Sequence, residues 1–254
     1  YKLFTTTRYD EGLEKLPWNH DDGKPSPFLL LPYHFQRLIN ATQSHGWTEA
    51  QKALQDYEHF KSICLKAVED FKASNNTDPK AFRLRVALDH HGVFQTTCAP
   101  VPPFASDPSL LARGAPPTSP QNVIEVRLDP SPTTPSLFTS TKTTYRPHYD
   151  EARVRSNIPP LTSPQGPYFE ALLIDNNNHI IESDIYNVAF YRSGRWVTPN
   201  VKYGCLPGVF RRWLIGQGLV DEDQDSMLVK ETVKNGEYVL LSNGAQGCRL
   251  GKIS

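Results

Sequence analysis

The hydrophobic and polar positions along the chain change period several times, and the changes outline the elements. Tyr33 to His45 reads as a short helix. Thr48 is placed to cap a longer one, in which Tyr57, Phe60, Cys64, Ala67 and Phe71 recur at helical spacing on one face. The period then falls to two. Leu84, Val86 and Leu88 alternate with Arg83, Arg85 and Ala87, the turn Asp89-His90-His91-Gly92 follows, and Val93 to Thr97 returns as the partner strand. Val123 to Leu128 is an isolated alternating island, and Leu137 to Tyr145 is Thr-rich and strand-like. Pro147 opens a helix with acids in its first turn and Arg153 and Arg155 in its last, as the helix dipole prefers. Two hairpins follow: Phe169 to Ile174 with His179 to Glu182 across three asparagines, and Tyr186 to Arg192 with Arg195 to Thr198 across Ser193-Gly194. A Gly-led helix from Val209 to Gln217 and a strand from Tyr238 to Ser242, ending in Asn243-Gly244, complete the pattern. No internal repeat stands out.

Composition changes this picture in three places. Of the 22 prolines, ten fall between Pro100 and Pro135, among many Ser and Thr, which suits an irregular connection between two packed units. The expected division is therefore near residue 130, giving an α+β domain over 1–130 that ends in a Pro-rich linker and a second domain over 131–254. Lys plus Arg and Asp plus Glu are both 27, so the chain lacks the basic excess by which nucleic-acid binders neutralise phosphate. Cys64, Cys98, Cys205 and Cys248 are scattered without metal or redox spacing and read as reduced thiols. The longest apolar runs, such as Phe28 to Leu31, are far too short to span a bilayer. Because the chain opens on Tyr1 rather than Met, a short preceding stretch is expected; no signal-peptide pattern is visible, and the expectation is a cytoplasmic globular protein.

Candidate chemistry gathers in the second half. Lys142 has no acid near it in sequence between Asp129 and Asp150, while Arg146, Arg153 and Arg155 follow. A partly buried lysine among cations releases its proton more readily, as an amine nucleophile must; taken alone, Lys142 reads first as a solvated strand lysine. Glu182 stands at a strand end with Asn187 five residues on, either an exposed turn carboxylate or the partner of a protonated pyridine nitrogen. Gly208 precedes Val209 and Phe210 at a helix start, where a glycine allows close backbone approach and free N–H groups suit a phosphate; a plain Pro-Gly turn is the other reading. Arg37 is open between a solvent arginine and a phosphate clamp. His90-His91 reads as a turn, and the acidic run from Asp221 to Asp225 as a solvated loop.

Taken in order, these features resemble a known class. Phe138-Thr139-Ser140, Lys142-Thr143-Thr144, Arg146, Tyr149 and Ala152-Arg153-Val154-Arg155 carry the likeness, with Asn187-Val188-Ala189, Val197-Thr198-Pro199, Gly204-Cys205-Leu206, Gly218-Leu219, Leu240-Leu241 and Asn243-Gly244. They resemble the fold type IV pyridoxal-phosphate enzymes, which include branched-chain and D-amino-acid aminotransferases, and within that class the fungal aminodeoxychorismate lyases. The likeness covers most of residues 137–250; the first half resembles the class mainly through His34 to Leu38 and Arg8-Tyr9-Asp10.

The resemblance implies a small α+β N-terminal domain, a larger pseudo-barrel C-terminal domain and a homodimer acting on a small molecule. It implies that Lys142 holds the cofactor aldehyde and that Glu182, with Asn187 nearby, pairs with the pyridine nitrogen. Arg37, Gly208 and the backbone of Val209 and Phe210 would bind the phosphate, with Asn243 and Gly244 at the same end. Phe210 stands where aminotransferases of the class often place a hydroxyl, which leans toward the lyase branch. Ser183 replaces a common glycine and leaves the path after Glu182 open. The implied reaction converts 4-amino-4-deoxychorismate to 4-aminobenzoate and pyruvate, in folate biosynthesis. Arg83 and Arg85, on one strand face by period-two alternation, would meet a substrate carboxylate or else line a solvated face. The rival readings are an aminotransferase of the same fold and a non-catalytic homologue.

Overall fold

The structure is a computed structural model that describes residues 1–75 and 79–254. The chain packs as two units, Tyr1–Asp107 with Thr141–Tyr145, and Pro108–Ser140 with Arg146–Ser254. The division falls at Asp107/Pro108 rather than near residue 130. The reason is local: Cys248 N–H donates to the Pro108 carbonyl and the Trp196 indole to the Gly114 carbonyl, both at 2.8 Å, so the Pro-rich stretch is tied to the second unit.

The first unit contains β1 (Leu3–Asp10), β2 (His20–Asp21), β3 (Lys24–Pro25), α1 (Leu31–Ser44), α2 (Thr48–Ala53), α3 (Tyr57–Asn75), β4 (Ala81–Leu88) and β5 (Phe94–Pro100). Its main sheet is antiparallel in the order β1-β4-β5. Leu84, Val86 and Leu88 on β4 bury one face against Leu31 and Leu38 of α1 and Phe60, Cys64 and Val68 of α3. The long helix expected from Thr48 is two helices. α2 stops at Leu54, and the Asp56 carboxylate caps the next one by accepting from the N–H groups of Glu58 (2.9 Å) and His59 (3.3 Å).

The second unit contains β6 (Ile124–Leu128), α4 (Leu137–Ser140), α5 (Pro147–Arg155), β7 (Phe169–Ile174), β8 (Ile180–Ser183), β9 (Asn187–Arg192), β10 (Arg195–Thr198), α6 (Val209–Gly216), β11 (Val220–Glu222), β12 (Tyr238–Asn243) and β13 (Gly247–Ile253). The strands form one eight-stranded mixed sheet in the order β11-β10-β9-β12-β13-β6-β7-β8. Both expected hairpins are present, β7–β8 and β9–β10; the second turns through Ser193 and Gly194, both at positive φ, as a two-residue hairpin turn requires. The expected strand from Leu137 to Tyr145 is absent. Ser136 instead caps α4, its hydroxyl accepting from Phe138 N–H (3.2 Å) and its own N–H donating to Thr139 Oγ1 (3.0 Å). The acidic run is also not a solvated loop: Asp223 is buried and accepts from the Leu228 N–H (2.8 Å), and Arg211 and Arg195 take Glu222 and Asp221. Among the described residues no helix is long and apolar enough to cross a membrane.

Candidate active site

In the first unit, residues 141–145 run beside β1. Phe4 N–H donates to the Lys142 carbonyl (3.0 Å), Thr144 N–H donates to the Lys2 carbonyl (2.9 Å), and Thr143 bridges to Leu3. Lys142 is therefore in an irregular segment pinned along a strand edge. Its ammonium nitrogen is 5.2 Å from the centre of the Phe4 ring, and the Arg85 guanidinium carbon is 3.9 Å from that same ring. The cation sharing this ring with Lys142 thus comes from β4. The downstream arginines have other work: Arg153 pairs with Asp184 (2.8 Å), Arg155 with Asp129 (2.6 Å), and Arg146 donates to the Asp184 carbonyl (2.7 Å). On the residue preceding the lysine, Thr141 Oγ1 hydrogen-bonds His45 Nε2 (2.8 Å), whose Nδ1 meets the Tyr1 hydroxyl (2.9 Å).

Arg37, on α1, is buried and donates to the Thr5 hydroxyl, which also hydrogen-bonds His34 Nδ1 at 2.6 Å. Arg83 and Arg85 share a face of β4, as the alternation predicts. Arg83 is exposed and in register with Arg8 and Ala99; Arg85 is half-buried and in register with Thr6 and Thr97. Arg8 is held by Asp10 (3.1 Å) and lies over the Phe104 ring.

In the second unit, Glu182 is the penultimate residue of β8 and is 3 % exposed. The Tyr149 hydroxyl donates to its Oε1 at 2.6 Å, and Asn187 Nδ2 donates to its Oε2 at 3.1 Å and to the Leu206 carbonyl at 2.8 Å. Burial first, and the Glu182 charge second, push the Tyr149 hydroxyl well above the ordinary tyrosine range, so it stays a donor. The path after Glu182 is fixed by Ser183. Its hydroxyl donates to Glu170 (2.7 Å) and accepts from the Tyr186 N–H (3.1 Å), while Ile185 N–H also donates to Glu170 (3.0 Å). Glu170 is buried, and desolvation and the neighbouring Asp184 hold its carboxyl well above the usual range; it keeps its proton. Cys205, near Glu182, is pushed up to about 12 by burial and is no nucleophile.

Gly208 precedes α6 and packs against Asn187. Its φ of −60° is open to any residue, but a Cβ there would overlap Asn187 Oδ1. The glycine makes room for Asn187. The first turn of α6 has no acidic side chain and no side-chain cap, and Val209 and Phe210 are fully buried, leaving the backbone as their means of binding an anion. Asn243 closes the β12–β13 turn, its side-chain oxygen accepting from Ala245 (3.0 Å) and Gln246 (2.8 Å) N–H groups, with Gly244 buried beside it. A carboxylate has about four acceptor sites, more than Tyr149 and Asn187 occupy, and a helix start without a side-chain cap suits a phosphate. These groups fit a pyridine ring nitrogen and its phosphate.

Residues 3–249 match the profile of amino-transferase class IV. The chain belongs to that family. Class IV proteins are pyridoxal-phosphate enzymes of fold type IV, and the small α+β unit followed by a large β-rich unit is their fold. A Schizosaccharomyces pombe protein named as a candidate aminodeoxychorismate lyase is 28% identical over 241 residues, covering 95% of this class IV chain and 84% of that one. The aminodeoxychorismate lyase of Saccharomyces cerevisiae is 35% identical over 142 residues, 51% of this chain and 37% of the yeast protein. A hypothetical aminotransferase from Mycobacterium tuberculosis, solved with α-ketoglutarate and PMP bound, superposes with a TM-score of 0.64 at 16% identity, covering 100% of this chain and 81% of that one.

The residues that sequence reasoning left without a role are Phe4, Thr5, His45, Tyr149 and Glu170. Tyr149 lay within the resembling string and seven residues after Lys142, but its hydroxyl's target is set by the approach of α5 to β8, which spacing does not reveal.

Proposed function

We propose that this class IV protein binds pyridoxal 5'-phosphate and cleaves 4-amino-4-deoxychorismate to 4-aminobenzoate and pyruvate. The observation that carries the reading is the lyase name of the fission-yeast relative, aligned over 95% of the chain. Lys142 would hold the cofactor aldehyde, Glu182 would pair with the ring nitrogen, and Arg37 with the N–H groups of Val209 and Phe210 would hold the phosphate, near Asn243 and Gly244. When bound, the cofactor supplies a cationic ring that absorbs the electron pair released at the amine-bearing carbon of the substrate.

The Lys142 amine would take the proton from that carbon. The ring carbon–oxygen bond then breaks, the ring becomes aromatic, and the departing enolpyruvyl group gains one proton to become pyruvate. One proton leaves the ring carbon and one is delivered, so neither an oxidant nor a keto acid is consumed. Arg83 and Arg85 meet a carboxylate of the substrate.

The match to an aminotransferase with α-ketoglutarate bound favours a second reading, transamination, which needs a keto-acid acceptor. Reconstituted protein incubated with aminodeoxychorismate and no keto acid decides between them. Fluorescent aminobenzoate should appear, and Lys142→Ala should lose both this product and the visible absorbance of the bound cofactor. Product that forms only with an added acceptor would establish transamination, and no product under either condition would remove the lyase reading.

A further inference from the structure

We infer that Tyr149 is a positioning residue for Glu182: its hydroxyl fixes the carboxylate and draws off part of its charge, so that Glu182 leaves the proton of a bound pyridine on the ring nitrogen. The inference rests on the reading of Glu182 as the cofactor's ring partner. Tyr149 donates over 2.6 Å, the length of a charge-assisted O–H···O⁻ bond, from a ring that is itself buried. Asn187 makes the longer contact, 3.1 Å, and shares its amide with Leu206. Tyr149 is therefore the stronger of the two donors, and a carboxylate deprived of a strong donor becomes a stronger base.

The ring of Tyr149 is held in turn on α5. Pro147 opens that helix, the Arg146 guanidinium lies 4.5 Å from the ring centre, and the His148 ring lies 4.0 Å away. The groups facing Glu182 include Tyr149, with Arg146 and His148 beside it, from α5; Asn187 from β9; and Cys205 from the segment before α6. Burial and then Arg146 bring His148 down to about 4, and burial holds the Cys205 thiol and Tyr149 hydroxyl protonated. Tyr149, His148 and Cys205 keep their charge between roughly pH 6 and 9, and the raised Glu170 is common to wild type and variant, so a difference between their cofactor titrations in that window reports on Glu182 and the ring.

The test is a pH titration of the visible band of protein reconstituted with pyridoxal 5'-phosphate. Tyr149→Phe should move the midpoint up by about one unit and lower kcat on the order of tenfold with KM nearly unchanged. Tyr186→Phe, which removes another buried hydroxyl, bonded to Gln246 at 2.7 Å, should titrate as wild type. Site-specific 3-fluorotyrosine at position 149, a stronger donor of the same shape, should move the midpoint down, and it tests the inference even where Tyr149→Phe folds poorly. Unshifted midpoints in both position-149 variants would overturn the inference. A wild-type protein that takes up no pyridoxal phosphate would instead overturn the reading of Glu182 itself.

Discussion

Asn187 joins three parts of the second unit: its amide nitrogen donates to Glu182 and to the Leu206 carbonyl, and its oxygen lies in the space a side chain at position 208 would need. Gly208→Ala therefore forces a buried carboxamide away from both acceptors, although the backbone conformation tolerates alanine. We expect a loss of about 1–3 kcal/mol in denaturant unfolding, the range for overpacking a tight site, together with weaker uptake of pyridoxal phosphate. Unchanged stability and uptake would show that Asn187 relaxes without cost. At this scale the sequence singled out Lys142, Glu182, Asn187 and Gly208, and the structure places Asn187 in contact with Glu182 and beside Gly208. The sequence did not reveal that Gly208 makes room for Asn187, because that residue lies 21 positions away. It likewise looked for the cations near Lys142 among its sequence neighbours, whereas β4 brings Arg85 to the Phe4 ring from 57 positions upstream.

Elements follow the same logic, since the ones missed are those whose interior is not simply apolar. β1 reads Leu-Phe-Thr-Thr-Thr-Arg-Tyr-Asp, with Thr5 and Thr7 fully buried and satisfied by His34, Arg37 and the Leu29 carbonyl. Hydrogen-bonded threonines inside a core erase the period-two contrast that reveals a strand. β13 is interrupted by Gly251, where a Cβ would press on Val126, Val239 and Leu241. Residues 137–140 have strand-like composition, yet the hydroxyls of Ser136 and Thr139 close a capped turn locally, which short polar side chains do well. The break between α2 and α3 has the same origin, because Asp56 satisfies N–H groups that a continuous helix would have bonded internally. Asp56→Ala should lower stability by about 1 kcal/mol, and Asp56→Asn by much less. Equal losses in thermal or denaturant unfolding of the two variants would indicate that the carboxylate's charge, not its capping bond, is what α3 uses.

The molecule as a whole carries equal numbers of acidic and basic residues, and several buried charges are matched locally, as in Arg153 with Asp184 and Arg211 with Glu222. Glu170 is different. Its hydrogen bonds from the Ser183 hydroxyl and the Ile185 N–H are neutral, and Arg153 stabilises the charge on the adjacent Asp184, so Glu170 is the partner that stays protonated. A carboxyl whose folded value is raised favours the fold while the unfolded chain is also protonated. Its contribution is complete below the ordinary value of 4.5 and is lost as pH rises from there through the raised folded value. The loss is steepest at about 1.4 kcal/mol per pH unit. Glu170→Gln keeps a neutral group that can accept from Ser183 and Ile185 and donate to Asp184, but it has no proton to lose. The variant should match wild type most closely in denaturant unfolding at roughly pH 4 and exceed it near roughly pH 9, with a flatter profile between. Parallel profiles would mean that the alkaline limb belongs to another group. Because the Glu170 bonds set the backbone between Glu182 and Asn187, the same variant should also retain pyridoxal-phosphate binding at alkaline pH where wild type begins to lose it.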